Sequence, residues 1–198
     1  YKFLQLFYSN IDYYIPDRYD EGYGVSKKSL EYARETGVKL IIILDCGIKA
    51  TDEIAYAKSL GIDFIICDHH VPDDVMPPAV AILNPKRPDD TYPFKHLSGC
   101  GVGFKLMQAF AKNNNIPFSR LIPLLDFCAV SISADIVPVV DENRILAFHG
   151  LKQLNQNPSV GLKAIIDICN LGNRDISMSD IVFKIGPVSY THLTLPTT

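Results

Sequence analysis

Two short runs of apolar residues, rich in isoleucine, stand out in the first half of the chain, and polar residues follow each of them. Val38 to Leu44 runs into Asp45-Cys46-Gly47, and Ile62 to Cys67 runs into Asp68-His69-His70. Continuous apolar runs of this length are typical of strands buried on both faces of a parallel sheet. The pattern therefore predicts an α/β fold built on a Rossmann-like parallel sheet.

Capping residues and glycines predict the elements around these two strands. Ser26 is a cap for a helix through about Thr36 with Gly37 as its stop, and Thr51 is a cap for a helix that ends at Gly61. Two further short strands are predicted at Ile11 to Ile15 and at Ala79 to Leu83. The rest of the chain has helical patterns, at about Gly101 to Asn113, Phe118 to Ile136, Glu142 to Gln156 and Gly161 to Cys169. An incomplete parallel-sheet domain followed by a mainly helical segment is the expected architecture.

Composition narrows the class of protein only a little. The chain has 198 residues, 47% of them hydrophobic and 21% charged, which is ordinary for a globular protein without a membrane span. A net charge of -3 counts against a nucleic-acid binder, although bound divalent cations would offset acidic ligands. The odd number of cysteines, none in a CxxC pair, predicts buried thiols in a reducing cytoplasm; they are Cys46, Cys67, Cys100, Cys128 and Cys169.

Candidate site residues follow the ends of the two apolar strands. Asp45 and Asp68 follow successive strands, and the carboxyl ends of parallel strands form the crevice where ligands bind. A single Asp after a strand is more often a turn former, but two carboxylates together with His69 and His70 favour a function. Mixed oxygen and nitrogen ligands suit Mn²⁺ or Mg²⁺ better than zinc. Asp135 is an isolated acid in an apolar segment, where a metal or a hydrogen-bond partner would offset its burial.

A glycine-rich run from Ser98 to Gly103 marks a helix start. It could meet a phosphate through free N–H groups at Gly101, although close packing of the helix start is the more usual role. The sequence pattern places no other candidate ligand near His96 or His149. Both are interpreted as structural or surface residues.

The ordered motifs resemble the DHH phosphoesterase superfamily. Leu44 to Ile48, Asp68-His69-His70 and Ser133 to Pro138 carry the resemblance to the superfamily as a whole. A branch of bacterial single-stranded-DNA exonucleases is similar in finer detail, over residues 1–187. The motifs that carry this finer similarity are Tyr14 to Arg18 running into Glu21 to Gly24, Asn84-Pro85, and Leu97 to Lys105.

The resemblance implies a role for each candidate residue. Asp45 would bridge two Mn²⁺ (or Mg²⁺) ions, His69 and Asp135 would complete the second metal site, and Asp68 would orient the ligands. His70 would face the scissile phosphate, while Arg18 and Gly101 would contact the substrate. Two such cations would activate a water for in-line attack on the phosphodiester.

The resemblance also implies an activity and its setting. The expected function is 5′-to-3′ exonuclease action on single-stranded DNA in repair and recombination, in the cytoplasm, with single-strand-binding protein and a helicase as further partners. One alternative is a DHH phosphodiesterase for short oligonucleotides or cyclic dinucleotides. Another is a non-catalytic DHH replication scaffold, against which the joint presence of the acidic and histidine residues argues.

Departures from the family pattern shape the expected domain organisation. The acidic motif that the family places before the first helix is absent, so one metal would lack most of its ligands and this chain alone is expected to be inactive. The predicted organisation is a truncated DHH domain over residues 1–157, the start of a helical connection to a further domain over 158–187, and a non-native tail over 188–198.

Overall fold

The computed structural model describes residues 1–188. It consists of two compact units, one running to Asn84 and the other beginning at Pro85. The predicted tail of residues 188–198 lies outside the described residues, apart from its first residue. The predicted boundary at residue 157 stays a prediction.

The first unit is built on a three-stranded parallel sheet in the order β1-β2-β3, which confirms the predicted α/β class. Leu44 of β1 pairs with Cys67 of β2, and Cys67 pairs with Leu83 of β3, so the three strands end at the same level. The bounds of the elements are α1 Lys2–Gln5, α2 Lys27–Glu35, β1 Leu40–Leu44, α3 Thr51–Ser59, β2 Asp63–Cys67 and β3 Ala81–Leu83.

Apolar side chains of the sheet pack against α2 and α3 to form the core of this unit. The central strand contributes Phe64 and Ile66, which are almost fully buried. Leu30 of α2 and Ile54 of α3 belong to the same buried cluster. At about 25 cal/mol per Å² of apolar surface, this burial is the main term that stabilises the sheet.

Local chemistry explains where the helices of the first unit begin and end. Ser26 and Ser29 form a reciprocal capping box at the start of α2, and Gly37 follows its end with φ 75°, as predicted. The predicted Thr51 cap was wrong. Ala50 is the N-cap of α3, and Asp52 and Glu53 in the first turn interact favourably with the helix dipole instead.

The strand predicted at residues 11–15 was also wrong. In the described part of the chain this segment has no regular secondary structure and forms no ladder with β1, β2 or β3. Tyr13 and Ile15 are well exposed, at 61% and 78%. Apolar composition alone does not make a strand, because a strand also needs a neighbouring strand to accept its hydrogen bonds.

The second unit is helical, with a core that includes Ala129, Leu154 and Ile181. The single helix predicted over residues 118–136 is broken, because Pro123 lacks the N–H that a helix interior requires. Two 3₁₀ turns, Phe118–Arg120 and Ile122–Leu124, precede the regular part. The helices are α4 Gly99–Asn113, α5 Leu125–Ala134, α6 Asp141–Gln156, α7 Val160–Ile168 and α8 Met178–Asp180, which continues as a π-helical turn over Ile181–Ile185.

α5 and α6 cross very closely. A Cβ added at Gly150 of α6 would lie 2.1 Å from the Leu125 carbonyl oxygen and 2.8 Å from the Cβ of Ala129, so only glycine fits there.

Among the described residues, no helix is both long and apolar enough to cross a membrane.

Candidate metal centre at the carboxyl edge of the sheet

Asp45 and Asp68 follow adjacent parallel strands in register. The hydrogen-bond ladder continues one residue beyond each strand, because the Asp45 amide donates to the Cys67 carbonyl at 2.8 Å and the Asp68 amide donates to the Leu83 carbonyl at 3.0 Å. Asn84 occupies the corresponding position after β3. The three polar residues therefore line the same edge of the sheet, where the sequence predicted that Asp45 and Asp68 would meet.

A tight turn after β1 sets the position of Asp45. Asp45 has φ 63°, a left-handed conformation that Asp tolerates better than most residues. Gly47 follows with φ 98°, and a Cβ there would lie 2.7 Å from Cδ1 of Ile43. The hydroxyl of Tyr23 donates to the Asp45 carbonyl at 3.0 Å and so adds a hydrogen bond to the turn. The carboxylate thus stands on a backbone that has little freedom to move.

The Asp45 carboxylate approaches His69 without forming a hydrogen bond. Its Oδ1 lies 3.2 Å from Nε2 of His69, whose side chain is only 11% exposed. Oδ1 itself is buried, and within the described residues no donor reaches it with hydrogen-bond geometry. An unsatisfied buried carboxylate oxygen costs free energy unless a cation or a donor compensates it. Its closeness to an imidazole nitrogen is what two ligands of one cation would show.

Asp68 differs from Asp45 because its carboxylate is fully engaged by the protein. One oxygen accepts hydrogen bonds from the amides of His69 at 2.7 Å and His70 at 3.2 Å, and the other accepts from the Ile48 amide at 3.0 Å. Burial would raise the pKa of Asp68, but these bonds and the one from the His70 ring outweigh it and lower the pKa. Asp68 is therefore an ionised carboxylate that holds the loop after β2 in place.

Asp68 also orients His70. Nδ1 of His70 lies 2.7 Å from Asp68 Oδ1, and an ionised carboxylate only accepts, so Nδ1 carries the proton. The other ring nitrogen, Nε2, then has a lone pair to offer from a side chain that is 48% exposed. Asn84 fixes the backbone here by donating to the His70 carbonyl at 2.8 Å. Sequence reasoning did not single out Asn84 as part of the site, although it follows a predicted strand as Asp45 and Asp68 do.

Asp45, His69 and His70 each offer one ligand atom, and these atoms lie within 4.8 Å of one another. Oxygen and imidazole nitrogen suit a divalent cation such as Mn²⁺. Cys46 is adjacent, but burial, followed by the charges of Asp68 and Asp45, raises its pKa to about 11. Without a bound cation it is therefore a neutral thiol at neutral pH. This donor set with its buried carboxylate oxygen therefore fits a hard or borderline divalent cation.

Arg18, Gly101 and Asp135 were also predicted for the site, and the structure gives the local contacts of each. Arg18 is exposed, with its guanidinium carbon 6.0 Å from the centroid of the Tyr23 ring. Gly101 is buried, and its amide donates to the Ser98 hydroxyl at 3.2 Å. Asp135 belongs to the second unit, at the end of α5, where it accepts a hydrogen bond from Ser131 at 3.2 Å. Their roles in substrate and metal binding stay predictions.

The family assignment follows from a comparison with known protein families. The family model described as DHH family, N-terminal domain, matches residues 1–132. The chain belongs to the DHH family. This confirms the superfamily that the order of the sequence motifs predicted, and it places the Asp68-His69-His70 triplet of the described site within the matched region.

Known DHH-family proteins that resemble the chain are single-stranded-DNA-specific exonucleases. RecJ of Bacillus subtilis is 41% identical over 93% of this chain, and RecJ of Escherichia coli is 38% identical over 90% of it. The chain spans only 23% and 33% of the length of these two relatives. A crystal structure of exonuclease RecJ bound to manganese shares the fold with a TM-score of 0.75 and 29% identity, over 88% of this chain and 43% of that one. The finer resemblance to the exonuclease branch is thus confirmed as well.

Proposed function

We propose that this DHH domain is the catalytic, metal-binding part of a RecJ-type exonuclease that degrades single-stranded DNA from the 5′ end. The observation that carries the proposal is the convergence of the Asp45, His69 and His70 ligand atoms within 4.8 Å at the carboxyl edge of the sheet. The relatives supply the substrate class, since RecJ of Bacillus subtilis is a single-stranded-DNA-specific exonuclease.

Asp45 and His69 would hold a divalent cation, with Mn²⁺ favoured because a related RecJ structure is bound to manganese. When bound, such a cation supplies Lewis-acid chemistry at the phosphodiester. His70 belongs to the same cluster of ligand atoms, and the hydrogen bond from its Nδ1 to Asp68 leaves the lone pair of Nε2 available. We assign His70 to the scissile phosphate, where Nε2 can accept a proton or a hydrogen bond, and Asp68 to holding His70 in that orientation.

Substrate contacts would come from the loop before α2. Tyr23 lies beside the site because its hydroxyl is bonded to the Asp45 carbonyl, and the Arg18 guanidinium is 6.0 Å from the Tyr23 ring. An exposed cation beside an exposed aromatic ring is suited to a phosphate and a base of a single strand. Gly101, at the start of α4, is a weaker candidate for a phosphate contact, because its amide already donates to the Ser98 hydroxyl.

The remaining assignments rest on the family. Asp135 would add a ligand, and the complete enzyme would use two cations. Action in DNA repair and recombination, a cytoplasmic location, and cooperation with single-strand-binding protein and a helicase belong to the same proposal. So does the extent of the DHH domain to residue 157.

The test is a chimaera in which residues 1–187 replace the matching segment of Bacillus subtilis RecJ. With Mn²⁺ it should degrade a single-stranded oligonucleotide from the 5′ end, and Asp45→Asn should reduce the rate by about 10²-fold or more. Asp63→Asn is the matched control, because it changes an exposed carboxylate at the opposite end of β2. An equal loss of rate in Asp45→Asn and Asp63→Asn would contradict the assignment of Asp45 to the metal site.

The same chimaera separates the alternatives. Faster hydrolysis of cyclic dinucleotides or very short oligonucleotides than of a long single strand would favour a DHH phosphodiesterase. A chimaera that folds, binds Mn²⁺ and cleaves none of these substrates would favour a non-catalytic scaffold.

A further inference from the structure

Two cysteines of the second unit, outside the candidate metal centre, face each other. Sγ of Cys100, in the first turn of α4, lies 3.9 Å from Sγ of Cys128, in the middle of α5. All five cysteines of the chain are free thiols in this structure. A disulfide needs a sulfur–sulfur distance of about 2 Å, so a shift of roughly 2 Å would bring the pair to bonding distance.

The two thiols differ in their access to solvent. Cys128 is fully buried, whereas Cys100 is only partly buried. The contact with the Cys100 thiol, together with burial, raises the pKa of Cys128 well above that of an ordinary thiol. A dissolved oxidant therefore meets Cys100 first, and Cys128 is placed as the second, resolving thiol.

Packing decides which helix moves to close the gap. α5 packs closely on α6, because a Cβ at Gly150 of α6 would overlap both the Leu125 carbonyl and Ala129, which lie three residues before and one residue after Cys128. Cys100, by contrast, stands between Gly99 and Gly101 at the start of α4. Glycine allows more backbone conformations than other residues, so we expect the start of α4 to move more readily than α5.

We propose that Cys100 and Cys128 form an oxidisable dithiol, which peroxide converts into a disulfide joining α4 to α5. In the first step one peroxide oxygen transfers to the Cys100 sulfur, giving a sulfenic acid and one water. The Cys128 sulfur then attacks the sulfenic sulfur, the S–S bond forms, and the hydroxyl group leaves with the Cys128 proton as a second water. Two thiols are oxidised and one hydrogen peroxide is reduced to two waters.

Peptide mapping of the full 198-residue chain tests the pair directly. Trypsin releases Cys100 within residues 96–105 and Cys128 within residues 121–144, and each of these peptides contains no other cysteine. After brief treatment with hydrogen peroxide and blocking of the remaining thiols, these two peptides should appear as one linked species. Its mass should be lower than the sum of the two by two hydrogen atoms, and dithiothreitol should separate it.

Cys46 and Cys67 provide the matched control, because trypsin releases them in the single-cysteine peptides 40–49 and 59–86. Random oxidation of unfolded chains would link this pair about as often as Cys100 and Cys128. Selective linkage of Cys100 to Cys128, abolished by Cys100→Ser, supports the proposal. A linked species of other peptides at equal yield, or Cys100 oxidised to sulfinic or sulfonic acid with Cys128 still a free thiol, overturns it.

Discussion

Two carboxylates of the same residue type end adjacent strands of one sheet, yet their surroundings are opposite. Asp68 is 1% exposed and accepts hydrogen bonds from three backbone amides and from the His70 ring. Asp45 stands on a left-handed turn with a buried Oδ1 that accepts no hydrogen bond from the described residues. The protein satisfies one carboxylate completely and leaves the other available.

This difference separates two tasks that a metal centre must combine. A loop rich in polar groups has to be held rigid, and at least one ligand has to keep a lone pair for the cation. Asp68 performs the first task by organising Ile48, His69 and His70 around itself. Asp45 performs the second, since the backbone turn sets its position and no hydrogen bond from the described residues occupies its Oδ1. Ligand orientation through hydrogen-bonded neighbours is a general feature of metal sites.

The largest expected effect is the loss of stability when Asp68 is replaced. Asp68→Ala leaves buried amide donors without an acceptor, and we expect a cost of about 3–5 kcal/mol in the free energy of unfolding. Urea denaturation followed by circular dichroism measures it. Asp45→Ala is the paired variant and should lower the free energy of unfolding far less. Equal losses in the two variants would contradict the difference between Asp68 and Asp45.

Metal affinity should show the reverse order. Asp45→Asn keeps the size of the side chain and tolerates the left-handed backbone, but it replaces a charged ligand by a neutral amide. We expect Mn²⁺ affinity to fall by about 10–100-fold, with the free energy of unfolding nearly unchanged. Titration of the 198-residue chain with Mn²⁺, followed by electron paramagnetic resonance, measures the affinity, with Asp63→Asn as the control. Unchanged affinity in Asp45→Asn would show that the cation, if bound, is held elsewhere.

The sequence could predict the placement of these two residues but not their difference. Apolar runs that end in Asp are visible in the printed sequence, and the parallel order of the strands follows from the helix between them. The full hydrogen bonding of the Asp68 carboxylate depends on the amide of Ile48, which is 20 residues away, and no local pattern reveals it.

The wrong predictions arose for the same reason, because a local pattern does not show what a segment contacts. Residues 11–15 resemble a strand locally, but pairing is a property of the neighbours, and the break before α5 follows from a single proline.

The turn that positions Asp45 gives a smaller effect. Gly47→Ala places a Cβ where φ is 98° and where Ile43 lies 2.7 Å away, so we expect a loss of about 1–3 kcal/mol in the free energy of unfolding. Gly37→Ala is a matched control, because φ is also positive there but a Cβ would meet nothing within 4 Å. The difference between the two variants, measured by urea denaturation, isolates the steric part. Equal losses would mean that Ile43 moves aside without cost.

The smallest expected effect on stability concerns a third carboxylate, Asp180, which lies outside the site and extends the comparison of Asp45 with Asp68. Asp180 in the second unit is engaged like Asp68, but by a cation: Arg174 lies 2.8 Å away, and Ser177 donates through its hydroxyl at 2.7 Å and its amide at 3.0 Å. These bonds, that of Arg174 first, lower the pKa of Asp180 below its usual value.

A carboxyl group whose folded pKa is lowered stabilises the protein above its unfolded pKa, near 3.9, and loses that contribution as the pH falls toward the folded pKa. Asp180→Asn should therefore be less stable than the unchanged chain at pH 7, and the gap should narrow between about pH 5 and pH 2. Urea midpoints across this range measure the gap, and it should be small throughout, because Arg174 is half-exposed and solvent screens the pair. Asp167→Asn removes an exposed pair with Lys163 and serves as the reference for a surface carboxylate. A gap that stays constant with pH would mean that Asp180 acts by shape and hydrogen bonding alone, and not through its charge.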